Sequence, residues 1–206
     1  MLIRLVFDAR CVFIGRLWWG TYTDAVISPI RKNHMSFLIP ESIETPRLRL
    51  RTVTDEDWSA LHEYYGDAQS VKYTTLQPLT EEDSRRTVGS IGRHWQRLGY
   101  GPYLVEEKAT ATVLGLVGLW YPKEWPEPEI KWALIRRHWG QGYAGEAARA
   151  VQAMATRHLP DLRLISLIHV ENQASIGLAI AVGATAEREM PFRGAVYRVY
   201  RHPLGK

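Results

Sequence analysis

Glu129 to His158 reads EIKWALIRRHWGQGYAGEAARAVQAMATRH, and its three parts decide the fold. Ile130 to Ile135 is a short apolar strand. Arg136, Arg137 and His138 make a basic turn, followed by Trp139-Gly140-Gln141-Gly142. Small or apolar residues then stand at 144, 147, 148, 151, 154 and 155, the spacing of a helix with one buried face. Strand, glycine turn, helix aims free backbone N–H groups and the positive end of the helix dipole at an anion. Arg136 and Arg137 add full charges beside it. The unit reads as a phosphate grip.

Two phosphate ligands fit such a grip. Gly140-Gln141-Gly142-Tyr143-Ala144-Gly145 satisfies the GxGxxG pattern of dinucleotide sites, which would make the chain a nucleotide-dependent oxidoreductase. That pattern normally opens its fold, whereas here more than half the chain precedes it. The acidic residue wanted on the next strand would be Glu171, and Asn172-Gln173-Ala174-Ser175 opens another helix directly after it.

The second reading rests on a longer match. Arg137-x-x-Gly140-x-Gly142 resembles the (Gln/Arg)-x-x-Gly-x-(Gly/Ala) signature of the GNAT acyl-CoA N-acetyltransferases. Glu129, the run Trp139 to Ala144, Glu146 and Asn172-x-x-Ser175 resemble the RimJ/RimL-type branch, which acts on ribosomal proteins. The resemblance covers about Glu44 to the C-terminus. It implies an α/β (α+β) fold, a mostly antiparallel mixed sheet flanked by helices, with acyl-CoA in a cleft between two central strands.

It further implies acetyl-CoA as acyl donor and an amine acceptor, a protein N-terminus or a small molecule, attacked directly in a ternary complex. A lysine-type ammonium has a pKa of about 10, so a base must take its proton, and the thioester oxygen wants an N–H donor. The resemblance places that donor within Leu134, Ile135 and Arg136, with the pantetheine arm along the same strand. The pyrophosphate goes to Arg137, Gly140, Gln141, Gly142, Tyr143, Ala144 and Gly145, with Asn172 beyond. Glu129 is the candidate base, through a water, or else an exposed strand-end charge. Ser175 is the candidate acid, or an ordinary first-turn helix residue, and Asn172 is a helix cap. His169 is a rival base, His138 either a phosphate-side charge or a solvated loop residue. The Trp120, Trp125, Trp132 set reads as core or as a wall of the acceptor site. Three departures stand out. Leu178-Ala179-Ile180 lies where many GNAT proteins carry a tyrosine that serves as acid to the thiolate, Gly183-Ala184 replaces a frequent Gly-Phe, and Arg136 stands where a proline is common before the turn. A non-catalytic acyl-CoA-binding module is the other open reading.

The 206 residues, 46% hydrophobic, suffice for one well-buried domain. No apolar run has the length of a membrane span. Cys11 is the single cysteine, which excludes an internal disulfide and any CxxC metal site, and no metal motif is present. A reducing, cytoplasmic setting is expected, with a monomer or homodimer and no need for nucleic acid or membrane. Residues 1–34 lack a clear period and hold five Lys or Arg against two Asp, leaving +1 of the chain's net +4 to the remainder. They read as an N-terminal extension, with the GNAT domain at 35–206.

Around the central unit, the alternation of Arg47 to Arg51 marks a strand, and Thr54 and Thr80 cap two helices ending near Gly66 and Gly99. Tyr100–Glu107 and Thr112–Tyr121 form a hairpin, with Gly115 and Gly118 marking a bulge or close approach. Arg163–Val170, a helix from Asn172 to Val182, and strands at Ala186–Met190 and Ala195–His202 complete the chain.

Overall fold

The computed structural model describes residues 37–203, so the expected extension at 1–34 and its boundary lie outside the described residues. The chain builds β1 (Ser42–Glu44), β2 (Leu48–Thr52), α1 (Trp58–Tyr65), α2 (Ala68–Val71), α3 (Glu81–Leu98), β3 (Pro102–Glu107) and β4 (Val113–Trp120). It continues through β5 (Glu129–Leu134), α4 (Tyr143–His158), β6 (Ile165–His169), α5 (Gln173–Ala181), β7 (Thr185–Phe192) and β8 (Ala195–Arg201). One eight-stranded sheet runs in the order β1-β2-β3-β4-β5-β6-β8-β7. Every neighbouring pair is antiparallel except β5 with β6.

Local chemistry accounts for the elements. Leu48 and Leu50 are buried while Arg49 is exposed, the alternation of a half-covered strand. Ahead of α1, the Thr54 N–H donates to Asp57 Oδ2 at 2.7 Å, a capping box. Arg51 clasps that same carboxylate with both terminal nitrogens, at 2.8 and 2.7 Å, and reaches Glu106 at 2.8 Å, tying β2, the α1 start and β3 together. Thr80 accepts the Asp83 N–H at 3.1 Å to start α3, and Gly99 ends it at φ 73°.

The centre of the sheet is covered on both faces, so β3 and β4 read as nearly continuous apolar runs. Gly115 has φ 138°, and a Cβ there would sit 2.2 Å from the Ala133 carbonyl oxygen. The pairing of β3 with β4 skips Leu114 beside it, a bulge. On α4, Ala147, Ala148, Val151, Met154 and Ala155 are buried, and the small residues let the helix settle closely on β4 and β5.

The structure adds two elements to those expected and shortens a third. β1 is three residues long and α2 a single turn, too short to show a period. β3 starts at Pro102 instead of Tyr100, and Gly101 just before it lies against the Trp95 indole, where a Cβ would clash at 2.4 Å. No helix among the described residues is long and apolar enough to cross a membrane.

Candidate active site

The glycine turn leaves the start of α4 without a side-chain cap. Gly140 and Gly142 take φ of 74° and 78°, a region costly for other residues. α4 has no side-chain cap, and its first turn is closed by Glu146 N–H to the Gly142 carbonyl at 3.1 Å. The N–H groups of Tyr143, Ala144 and Gly145 are therefore the unsatisfied donors of a 16-residue helix. Glu146 pins the helix start to the β1–β2 turn, accepting from Thr45 Oγ1 at 2.6 Å and Arg47 Nε at 2.7 Å. Arg47 also donates to the Gln141 carbonyl at 3.0 Å and lies over the Tyr143 ring. Tyr143 in turn donates its hydroxyl proton to Glu107.

The expected cations sit differently. Arg136 Nε binds Asp67 at 3.0 Å, and Arg137 pairs with Glu63, so acids at the α1 end absorb both charges. His138 accepts from Arg137 Nε at 3.0 Å, and burial together with Arg137 pushes its pKa down, keeping it neutral. Arg149, one helical turn on, lies beside Gly145 instead.

β5 offers an open edge. Ile135 N–H donates to the Leu114 carbonyl at 2.9 Å, so the odd-numbered residues of β5 bond to β4. The even-numbered ones, Trp132 and Leu134 among them, turn their backbone groups toward β6. Of the three residues expected to supply a thioester donor, Ile135 is thus already committed to the sheet, and Leu134 faces the gap. β6 meets β5 at one register position, Glu129 with Ile165, where Ile165 N–H donates to the Pro128 carbonyl at 3.0 Å. The next rung would join Leu167 N–H to the Ile130 carbonyl. Leu167 N–H donates instead to Glu129 Oε2 at 3.1 Å, and the Ile130 carbonyl accepts from Ser166 Oγ at 2.7 Å. Two side chains have replaced a rung, and beyond them the strands part.

Ser166 also meets His202 Nε2 at 2.9 Å. Its own proton goes to Ile130, so the histidine donates, which makes the pair a brace and not a base-activated nucleophile. Burial, with Arg201 nearby, pushes His202 down to about 4.

A cavity of about 320 Å³ opens where the strands part. Aromatic side chains make much of its wall, Tyr73, Trp120, Trp125, Trp132 and Tyr197 among them. Both expected catalytic residues line it, as do Asn172 and His169. Glu129 is 6% exposed; burial pushes its pKa up, partly offset by Lys131 and the Leu167 N–H. Ser175 Oγ accepts from Trp132 Nε1 at 3.1 Å and keeps its own proton free to give. Asn172 caps α5 through the Ser175 N–H at 3.2 Å. His169 Nδ1 accepts from the Glu171 N–H at 3.2 Å, which puts the ring proton on Nε2 and leaves no free lone pair to take another.

Lys131 is the residue that sequence reasoning passed over. It lines the cavity two residues from Glu129, hence on the same strand face, with Nζ 5.0 Å from the Trp120 ring centre. Its signal in the sequence was that spacing alone. Among the described residues no three His, Cys, Asp or Glu side chains come together to hold a metal ion.

Comparison with known proteins agrees with this architecture. The family model of the acetyltransferase (GNAT) domain matches residues 47–185. The YkkB protein of Bacillus subtilis is 31% identical over 142 residues, covering 68% of this chain and 82% of its own. A crystal structure of an acetyltransferase from Agrobacterium tumefaciens is 27% identical with a TM-score of 0.71, covering 80% of this chain and 95% of that one. A RimL structure, described as a ribosomal L7/L12 α-N-protein acetyltransferase in complex with coenzyme A, shares the fold at 20% identity and TM-score 0.63, covering 80% and 96%.

Proposed function

The chain belongs to the GNAT acetyltransferase family and is an acyltransferase, and from that premise we propose that it moves an acetyl group from acetyl-CoA to a primary amine by direct attack. The observation that carries this reading is the continuity of the glycine turn, the open edge of β5 and the cavity holding Glu129 and Ser175. The N–H groups opening α4 suit the pyrophosphate, with Arg149 beside them. Trp132 offers its main-chain groups to an extended arm and Leu134 its N–H, the Leu134 carbonyl being held by the Trp139 indole at 2.6 Å, and an N–H on this edge serves the thioester oxygen. Acyl-CoA supplies the activated acetyl group. The remaining work falls to the chain's own side chains.

Glu129 takes the acceptor's proton, directly or through a water. Its raised pKa moves it closer to neutral pH, where a general base works best. β5 spans about 20 Å, so Glu129 lies roughly 17 Å from Leu134 along a straight strand. An arm running back along that edge is what brings the two ends of the site together. Ser175, oriented by Trp132 and Asn172, holds the proton for the leaving thiolate.

Thiol release from acetyl-CoA, measured against a panel of amines, tests the proposal, with turnover of at least one amine expected. Coenzyme A bound without any turnover would leave an acyl-CoA-binding module. Preference for NAD(P) over coenzyme A would return the glycine turn to dinucleotide binding.

A further inference from the structure

The cavity carries more charge than acyl transfer needs. Lys131 makes no hydrogen bond or ion pair with any described residue, although it is partly buried and faces the aromatic wall. Buried ammonium groups are ordinarily paired. Burial pushes the Lys131 pKa down and the Glu129 pKa up, and each group, though beyond ion-pair reach of the other, offsets part of that shift. The remaining cation on the wall, Arg193, is occupied: it stacks on Trp125 at 4.8 Å and pairs with Glu124 at 3.6 Å. Glu129 for its part accepts from Leu167 at one oxygen and lines the cavity. The Trp125 indole N–H is buried nearby without a partner of sound geometry. Two opposite charges thus stand on one strand face, about 7 Å apart by strand rise, each with open valence.

We propose, resting on the acetyl-transfer reading above, that the acceptor is a small amphoteric amine, an amino acid with an aromatic or large apolar side chain. Its amine meets Glu129, its carboxylate meets Lys131, and its side chain lies against the tryptophan and tyrosine wall. The Glu129 carboxylate then faces a cation and the Lys131 ammonium an anion. A polyamine would bring a second cation against Lys131 and Arg193. A peptide N-terminus has an amide where Lys131 asks for an anion. The volume of about 320 Å³ lies at the small end of the roughly 300–1,000 Å³ range of small-molecule sites.

The test uses the full chain with acetyl-CoA and four acceptors: phenylalanine, phenethylamine, a peptide beginning with phenylalanine, and spermidine. Phenylalanine is expected to give a kcat/KM at least tenfold above phenethylamine, the size of one charge-assisted contact. Lys131→Met should collapse that ratio, chiefly through the KM for phenylalanine, while Lys131→Arg should keep it. Binding without turnover is read independently from isothermal titration calorimetry on adding phenylalanine. Faster turnover of phenethylamine, the peptide or spermidine would overturn the proposal while leaving acetyl transfer intact. So would an equal loss on phenylalanine and phenethylamine in Lys131→Met. Absence of thiol release with every acceptor, coenzyme A still binding, would overturn the acetyl-transfer reading itself.

Discussion

The Leu167 N–H donates to the Glu129 carboxylate at 3.1 Å, in the place where a parallel ladder would have sent it to the Ile130 carbonyl. One side chain therefore has two offices, holding the strands apart and presenting an oxygen to the space it opens. The two can be separated by experiment.

Glu129→Gln keeps an acceptor for Leu167 and loses the ability to take a proton. Because burial raises the folded-state pKa, ionised Glu129 costs stability at neutral pH, and that cost fades as acid protonates it. The glutamine variant should melt no lower than wild type at pH 7. Its kcat/KM should fall at least tenfold, with the acid limb of the wild-type profile flattened. Superimposable pH profiles would remove the base from Glu129. Glu129→Ala, which strands the Leu167 N–H, should lose about 1–3 kcal/mol in denaturant unfolding.

Gly142 stands at φ 78° at the mouth of α4, with open space except for Arg47, 3.5 Å from where a Cβ would be. Asn and Asp tolerate this backbone region better than most residues. Gly142→Asp should leave a folded protein whose affinity for coenzyme A drops by well over tenfold, since it sets a negative charge where pyrophosphate should lie. Gly142→Asn has nearly the same shape without the charge and should lose less. Calorimetry giving the aspartate variant wild-type affinity would end the phosphate assignment.

Arg51 and Asp57 give the pH prediction. Burial alone would raise Asp57, but the two Arg51 hydrogen bonds and the Thr54 N–H outweigh it and hold the carboxyl below its usual range. A depressed folded-state value means the stabilisation is present above the unfolded pKa of about 3.9 and is lost as pH falls through the lower folded one. Arg51→Leu should cost about 2–4 kcal/mol at pH 7 by leaving the carboxylate uncompensated. The gap from wild type in urea unfolding should narrow below pH 4. A gap independent of pH would show that the loss is packing.

Residues 1–34 have no core periodicity in sequence. A chain beginning at Met35 is expected to fold, melt within a few degrees of the full chain and bind acetyl-CoA comparably. Insolubility of that shorter chain would make the segment part of the core.

The central unit was legible because strand, glycine turn and helix each write their periodicity into residues 129–158, and α4 buries the face its small residues marked. What escaped was written in pairs far apart in the chain. Nothing near Arg136 or Arg137 says that Asp67 and Glu63 will take their charges. Nothing near Glu146 says that Thr45 and Arg47 will occupy its oxygens, 101 and 99 residues away. Lys131 was invisible because a lone lysine in a strand ordinarily faces water. It lines the cavity between β5 and β6 and lies across the Trp120 ring, a setting fixed by residues distant in sequence.

The edge of β5 that faces the gap is made of main-chain groups, and a main chain has no side-chain chemistry for mutation to erase. Substitution at Trp132 or Leu134 would alter what packs behind the strand and leave the row of donors and acceptors in place. On the proposed assignment, selection for a new acceptor would fall on Glu129, Lys131 and the aromatic wall. Directed evolution that diversifies only the wall should therefore change which amine is acylated without having to rebuild donor recognition.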